Sequence, residues 1–478
     1  MKPLPILIQS SSLSDSRSTA RVTARVDALA KRLHLALELV NGSQMPPGLD
    51  EETLQQDVHN SGGLLFLILT GGTEKNTLEA IQKYRARAVG LVAHPEFNSL
   101  PAALEIAAFL NGHGTAVKLV QLSQAALLHQ HGGDAHEFVG LVRAFEARRQ
   151  LGTTTAGCEE KTRTRLGLVG VPSPWLLTSA ALDEARIQNG WGVKLVNIDM
   201  KELQTEIEKT PTDEAVKSIA NDIIQNAQQE LPPVVDLERC LQVRCGNDSG
   251  CKCCCGANGV VPEHVTEAAR VYKALEAIVQ RHRLTAFTIR CFDLLERPLV
   301  AGCLAVSLMN DRGIVAGCEG DVHTTITMLL ARAFVPQQAS FMANPVEIDI
   351  KTGRVLLCHC TVPRTLCVSY TLDSHFESGL SVSLAGNVKV PLDGRVTIAR
   401  IDATRNLVFA AEGTIDSAYP KQTNQCRTQV MVMLEKSDAT TMLENPLGNH
   451  HVLIAGGCAS AFCAYAKLFL QNTMEKTI

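Results

Sequence analysis

Aromatic residues are scarce in this 478-residue chain, where Phe, Trp and Tyr together make up 4% of the sequence. Its apolar residues are therefore mostly aliphatic, and Val, Ile and Leu are the residues that build the buried parallel strands of α/β proteins. The net charge is only −4, and no cluster of basic residues interleaved with aromatic ones occurs. The composition thus favours an α/β protein and argues against a nucleic-acid partner.

Long apolar runs are also missing from the sequence. No stretch approaches the roughly 20 apolar residues of a transmembrane helix. The apolar run near the N-terminus, in MKPLPILIQSS, is too short for the core of a signal peptide. We therefore expect a cytoplasmic protein with no membrane partner. In that compartment the 16 cysteines are predicted to be reduced thiols or metal ligands rather than a disulfide framework.

Strand and helix patterns alternate through about the first two thirds of the chain, beginning with PILIQ and RSTARVTARVDALAKRLH. This alternation predicts doubly wound parallel sheets. A polar, Thr-rich stretch at 151–164 interrupts the pattern and predicts a domain boundary. After Phe341, short β runs with Gly and Asp turns predict an antiparallel, barrel-like sheet. The predicted domains are an N-terminal α/β domain (1–156), a second α/β domain (157–341) and a β-rich C-terminal domain (342–478).

Two carboxylates stand in GIVAGCEGDVHTTITMLLARAF, between an apolar strand and an apolar helix. Asp321 is placed to cap the N-terminus of the helix, with its oxygen accepting from a backbone N–H two or three residues on. Glu319 has no comparable local role. It lies at the carboxyl end of a strand, where ligands bind in α/β folds. The alternative is a surface glutamate.

Histidines stand at two other strand ends, His359 in VLLCHCTVP and the pair His450 and His451 in NPLGNHHVLIAGG. One carboxylate and two imidazoles from separate elements can form an open site for a divalent metal, with Mn²⁺, Zn²⁺ and Fe²⁺ all compatible. The alternative for each histidine is a hydrogen-bonded structural residue.

The order of four pieces resembles the L-fucose isomerase and L-arabinose isomerase superfamily, especially its fucose-isomerase-like branch. These pieces are AGCEGD with its apolar helix, SFMANPVEIDIKTGRVLLCHC, VPLDGRVTIARI and GNHHVLIAGG. The resemblance implies a Mn²⁺ ion held by two acidic residues and a C-terminal histidine, with a further histidine in the arabinose enzymes. Glu319 matches the first acid, His359 the further histidine, and His451, with His450 as its neighbour, the C-terminal one.

The second acid of that family is missing, because Ala343 and Asn344 follow SFM in this chain. Asparagine can offer a carbonyl oxygen to a metal but carries no charge and moves no proton. The nearest carboxylates, Glu347 and Asp349, alternate with apolar residues and are predicted to face solvent unless a bulge shifts the register. The resemblance thus implies Glu319 and Asn344 as catalytic residues. The implied metal ligands are Glu319, Asn344, His359 and His451.

The function implied by the resemblance is metal-dependent aldose–ketose isomerisation of a sugar, an intramolecular oxidoreduction in which a proton moves through an ene-diol. The family also implies a homo-oligomer, a trimer or hexamer. One alternative is a non-catalytic or regulatory sugar-binding protein that kept the fold after losing the second acid. Another is a thiol-metal protein that uses the cysteine-rich loop 240–259.

That loop contains CGNDSGCKCCCGANG, a stretch dense enough in thiols to bind Zn²⁺, Cu(I) or an iron–sulfur cluster. It lacks the paired CxxC spacing of a persuasive zinc site, so an exposed glycine-rich loop with free thiols is the alternative. Three further cysteines, Cys318, Cys358 and Cys360, flank the candidate site and are predicted to be small buried hydrophobes. The possible second metal site comprises Cys245, Cys251, Cys253, Cys254 and Cys255.

Overall fold

The computed structural model describes residues 3–11, 16–41, 50–129, 133–152, 164–180, 182–231, 259–296, 300–417, 421–422 and 425–470. Contacts group the described residues into two compact units. The first takes in the described part of 1–163, Gln188–Gly192 and the described residues from Cys458 onward, and the second takes in Thr164–Ile187 and Val193–Gly457. The division into three domains stays a prediction. None of the described helices is long and apolar enough to cross a membrane.

The first unit contains a five-stranded parallel sheet in the order β2-β1-β3-β4-β5. Its central strands are buried on both faces, which is why they are apolar without alternation. The strands are β1 (Leu4–Gln9), β2 (Leu37–Asn41), β3 (Gly63–Ile68), β4 (Ala88–Ala93) and β5 (Ala116–Gln121). The helices are α1 (Ser16–Arg32), α2 (Glu51–Ser61), α3 (Glu74–Tyr84), α4 (Ser99–Gly112), α5 (Gln124–His129) and α6 (Gly133–Leu151), and the final helix of the chain, Ala459–Phe469, packs against α6.

The second unit begins with a four-stranded parallel sheet in the order β7-β6-β8-β9. Its strands are β6 (Thr164–Val169), β7 (Val193–Ile198), β8 (Ala286–Ile289) and β9 (Val315–Cys318). The helices from this part of the chain are α7 (Leu177–Ala180), α8 (Glu184–Trp191), α9 (Met200–Lys209), α10 (Glu214–Gln225), α11 (Pro262–Arg281), α12 (Cys303–Asp311) and α13 (Val322–Phe334). Helix α13 is buried along nearly its whole length, and the buried threonines of its first half hydrogen-bond to Asp321 or to the helix backbone.

Antiparallel strands follow and close a barrel in the order β10-β11-β16-β15-β14-β17, beside a two-stranded sheet formed by β12 and β13. Closure leaves this sheet without edge strands. The predicted fold class, parallel-sheet α/β followed by an antiparallel barrel-like sheet, is confirmed. The remaining elements are β10 (Phe341–Asp349), β11 (Arg354–His359), β12 (Cys367–Asp373), β13 (Ser383–Val388), β14 (Arg395–Asp402), β15 (Leu407–Ile415), β16 (Thr428–Leu434), α14 (Lys436–Glu444) and β17 (His451–Ala455).

Candidate metal centre

Three side chains from separate strand ends converge in the second unit. Glu319 follows β9, His359 ends β11, and His450 precedes β17. Their ligand atoms lie within 4.8 Å of one another. Glu319 Oε1 is 3.4 Å from Nε2 of His450 and 3.7 Å from Nε2 of His359. All three residues are buried, so the strands of two different sheets bring one carboxylate and two imidazoles together away from bulk water.

A left-handed turn aims the Glu319 side chain at this point. Glu319 has a φ of 61° and Gly320 a φ of 74°. The left-handed conformation costs a residue with a Cβ about 1–2 kcal/mol. At the second position a Cβ would lie 2.7 Å from Pro172 Cα, so only glycine fits. Backbone strain of this kind persists where the surroundings enforce it, and it concentrates at functional sites.

The two oxygens of the Glu319 carboxylate have different partners. Trp175 Nε1 donates a hydrogen bond of 2.6 Å to Oε2, which leaves Oε1 directed at the two imidazoles. Burial opposes ionisation of this carboxyl group, but the neighbouring His359 and His450 rings outweigh burial and hold the pKa of Glu319 well below its usual range. The carboxylate is therefore charged at neutral pH and supplies the negative charge that a cation requires.

Both histidines present Nε2 to Glu319 because their Nδ1 atoms contact other residues. Nδ1 of His450 lies 3.0 Å from Asp321 Oδ2, and Nδ1 of His359 lies 2.9 Å from Thr361 Oγ1. Burial disfavours the charged form of His450, but Asp321 and Glu319 overcome this and raise the pKa of His450 to about 9. A carboxylate that holds one ring nitrogen while the other points into a site is the arrangement that orients metal-binding histidines.

Asp321 and Arg400 form a buried ion pair behind His450. Arg400 Nη1 lies 2.7 Å from Asp321 Oδ2, and both side chains are fully buried. Asp321 also accepts hydrogen bonds from Thr324 N (2.9 Å) and Ser179 Oγ (3.1 Å), so the prediction that it caps α13 is confirmed. Burial opposes its ionisation, but the charge of Arg400 holds the pKa of Asp321 well below the usual value. The sequence analysis missed the contacts from Asp321 to Arg400 and to His450.

The residues of this centre fit a divalent cation. Nε2 of His450 is buried and has no hydrogen-bond partner among the described residues. A buried polar atom without a partner is costly, and a ligand in the site would satisfy it. Once His450 releases the proton that Asp321 and Glu319 stabilise on it, an ionised carboxylate with two imidazoles suits Mn²⁺, Fe²⁺ or Zn²⁺. We refer to Glu319, His359 and His450 as the candidate metal centre.

About half of the chain is similar to curated sulfoquinovose isomerases. Those of Priestia aryabhattai and Priestia megaterium are each 26% identical to it over 248 residues, which cover 50% of this chain and 48% of theirs. The enzyme of Alkalicoccus urumqiensis is 23% identical over 97 residues, 20% of this chain and 22% of its own. The chain thus spans about half the length of the curated relatives it matches. No protein-family model matches the chain.

Of the two adjacent histidines, the structure places His450 rather than His451 beside Glu319. Nδ1 of His451 lies 3.1 Å from the Asn449 carbonyl oxygen, and its ring packs edge-on against Phe409. Burial and the charge of Arg400 lower the pKa of His451 to about 3. A metal-ligand role for His451 stays a prediction, and His450 is the residue whose Nε2 lies 3.4 Å from Glu319 Oε1.

Asn344 lies on β10 opposite Cys358 of β11, so these two side chains project from the same face of the barrel sheet. Its Oδ1 is buried and has no hydrogen-bond partner in the described part of the chain. The register shifts between Pro345 and Glu347, yet Glu347 remains exposed. Asp349 accepts from Lys351 N and Thr352 Oγ1 in the following turn. The structure thus turns neither carboxylate inward, and a ligand role for Asn344 stays a prediction.

The predicted cysteine-rich site lies outside the described residues. Cys245, Cys251, Cys253, Cys254 and Cys255 all fall between residues 231 and 259, which the structure does not describe. The three cysteines predicted to be buried beside the candidate metal centre, Cys318, Cys358 and Cys360, are all buried.

Proposed function

We propose that this protein is a metal-dependent aldose–ketose sugar isomerase. The observation that carries the proposal is the convergence of Glu319, His359 and His450 on one buried point, where His450 Nε2 has no hydrogen-bond partner among the described residues. The curated relatives over half of the chain are named isomerases of a sugar. The donor set, which suits a divalent cation, and the similarity to sugar isomerases both support aldose–ketose isomerisation.

Oε1 of Glu319 and the Nε2 atoms of His359 and His450 would hold the cation, and Asn344 would contribute a neutral oxygen. We propose Mn²⁺, since it accepts carboxylate, carbonyl and imidazole ligands. When bound, the cation would polarise the sugar carbonyl and acidify the adjacent C–H. The site is short of one negative charge relative to a site with two carboxylates, because Asn344 carries none.

Glu319 is the proposed proton carrier. Its carboxylate takes the proton from C2 while O1 gains a proton, which gives the ene-diol, and then returns its proton to C1 while O2 loses one to become the ketone oxygen. A carboxylate with a lowered pKa is a weak base, so it acts only on a C–H that is already acidified. Trp175 keeps one carboxylate oxygen fixed during the transfer.

The substrate class we propose is an open-chain aldose, and sulfoquinovose is the first sugar to test because the relatives are named for it. The assay incubates the metal-stripped protein with Mn²⁺ and a panel of aldoses that includes sulfoquinovose, L-fucose and L-arabinose, and measures ketose formation. We expect ketose from at least one sugar, loss of activity with a chelator and recovery with added Mn²⁺.

Glu319→Gln should abolish this activity, whereas Glu347→Gln, which changes an exposed carboxylate, should leave it intact. Full activity of Glu319→Gln would exclude the proposed site. No ketose from any sugar, together with measurable sugar binding, would favour the non-catalytic sugar-binding protein.

We also propose a homo-oligomer, a trimer or hexamer, on the basis of the sequence resemblance. Light scattering on the purified full chain measures the assembly directly. A monomer at all concentrations would contradict this part of the proposal and would leave the reaction itself to the sugar assay.

A further inference from the structure

A second group of metal-ligand atoms lies in the same unit and uses different chemistry. The sulfurs of Cys360 and Cys426 and a carboxylate oxygen of Glu377 are all within 4.8 Å of one another. Both cysteines are buried, while the Glu377 side chain is 45% exposed. Cys426 donates to Glu377 Oε1 at 3.6 Å. Two buried sulfurs therefore face one carboxylate that opens to solvent.

A third thiol lies nearby at the start of α12. Cys303 is buried there and belongs to the same buried cluster as Cys360 and Cys426. All three cysteines are free rather than joined in disulfides. A buried cysteine usually packs as a small hydrophobe. These three cysteines share one buried apolar cluster, and the carboxylate of Glu377 beside two of the sulfurs is the feature that packing does not explain.

Glu377 is held in place by a neighbouring histidine. Nε2 of His375 lies 3.1 Å from Glu377 Oε2, and Nδ1 of His375 lies 2.9 Å from Ser378 Oγ. Oε2 is thus occupied by His375 while Oε1 faces Cys426. Partners of this kind orient the ligands of metal sites. The exposed side of Glu377 also provides a path by which an ion can enter.

We propose that Cys360, Cys426 and Glu377, with Cys303 as the fourth ligand, form a zinc-binding site, called the thiolate site below. Tetrahedral Zn²⁺ with bonds of about 2.3 Å to sulfur separates its sulfur ligands by about 3.8 Å. The ligand atoms of Cys360, Cys426 and Glu377 lie within 4.8 Å of one another, so small side-chain movements bring these three to one ion, and Cys303 approaches from α12. Soft thiolates select Zn²⁺ over Mn²⁺, whereas the candidate metal centre offers only oxygen and nitrogen.

Zinc in the thiolate site would connect elements that support the candidate metal centre. Cys360 directly follows His359 at the end of β11, Cys426 precedes β16, and Cys303 begins α12. An ion bound by all of them fixes the end of the strand that carries His359. The thiolate site therefore has a structural role, and it uses no residue of the cysteine-rich loop.

Cobalt substitution tests the thiolate site, because Co²⁺ bound to thiolates shows sulfur-to-metal charge-transfer absorption that oxygen and nitrogen ligands do not produce. The reduced, metal-stripped full chain is titrated with Co²⁺ and then with Zn²⁺. We expect this absorption in the wild type and its loss when Zn²⁺ displaces Co²⁺. Cys360→Ser and Cys426→Ser should each bind one equivalent less of thiolate-bound Co²⁺, with loss of the corresponding absorption. Cys367→Ser, which changes a buried free cysteine outside the group, should keep it.

Two further variants make the result decisive. The double variant Cys253→Ser/Cys254→Ser changes the cysteine-rich loop. It should keep the equivalent of thiolate-bound Co²⁺ that Cys360→Ser loses. Glu377→Gln changes an exposed side chain, so the fold is preserved, and the dissociation constant for Zn²⁺ should rise by more than about tenfold. No thiolate absorption in the reduced wild type, wild-type spectra for Cys360→Ser and Cys426→Ser, or unchanged zinc affinity for Glu377→Gln would each overturn the proposal.

Discussion

Replacing Asp321 by Asn tests whether the buried ion pair with Arg400 stabilises the helix behind the candidate metal centre. Asparagine has nearly the same size and is an equally good helix N-cap, so the substitution mainly removes the charge that pairs with Arg400 and His450. Arg400 would then remain fully buried with its positive charge uncompensated. Its Nε and Nη2 have no hydrogen-bond partners among the described residues, and the other acceptors of Nη1, the His450 carbonyl oxygen and Thr324 Oγ1, are uncharged.

The expected loss of stability follows from these contacts. Removing one partner of a buried ion pair costs about 3–5 kcal/mol, because the other charge stays buried. The N-cap contribution of about 1 kcal/mol is retained, since the Asn oxygen still accepts from Thr324 N. We therefore expect Asp321→Asn to lower the free energy of local unfolding of α13 by about 3–5 kcal/mol.

Hydrogen exchange measured by mass spectrometry on peptides from α13 gives this free energy locally. The matched control is Asp393→Asn, which breaks an exposed pair with Arg395 and should cost less than about 1 kcal/mol. Asp321→Asn combined with Arg400→Met should recover much of the loss, because replacing a whole buried pair by apolar groups is often neutral or stabilising. A single variant as stable as the control, or a double variant no more stable than the single one, would refute the reasoning.

Asn344→Asp should tighten Mn²⁺ binding in calorimetry by restoring the missing charge, and an unchanged dissociation constant would show that residue 344 is not a ligand. His450→Ala should weaken Mn²⁺ binding more than His451→Ala, since only His450 directs its free nitrogen at Glu319; the reverse order would identify His451 as the ligand. Gly320→Ala should destabilise the second unit by about 1–3 kcal/mol in thermal unfolding, because its φ is positive and a Cβ would clash with Pro172. A variant with wild-type stability would show that the turn relaxes freely.

The fold class was predictable because its signals are local. Apolar strands such as GLLFLI alternate with amphipathic helices, and each pattern depends only on neighbouring residues. The N-cap role of Asp321 is local in the same way, since the acceptor and Thr324 N are three residues apart. The position of Glu319 also followed from a general rule, because the carboxyl ends of parallel strands are where ligands bind.

The rest of the site depends on contacts that are distant in the sequence. Arg400 is 79 residues from Asp321, and no pattern around either residue indicates the pair. His450 and His451 are neighbours at the start of β17. The position of β17 in the barrel decides which of the two side chains faces Glu319. The meeting of Cys303, Cys360 and Cys426 likewise requires the barrel and α12 to be in place.

The central claim is that Glu319, in the candidate metal centre, moves a proton between two carbons of a sugar, and deuterium incorporation from solvent tests it most directly. The full chain is incubated with Mn²⁺ and sulfoquinovose, then with the other aldoses, in D₂O, and deuterium at C1 of the ketose and at C2 of the recovered aldose is measured by NMR. We predict incorporation by the wild type and by Glu347→Gln, and none by Glu319→Gln or with a chelator. Incorporation by Glu319→Gln at the wild-type rate, or ketose formation by the wild type without any deuterium, would contradict this account.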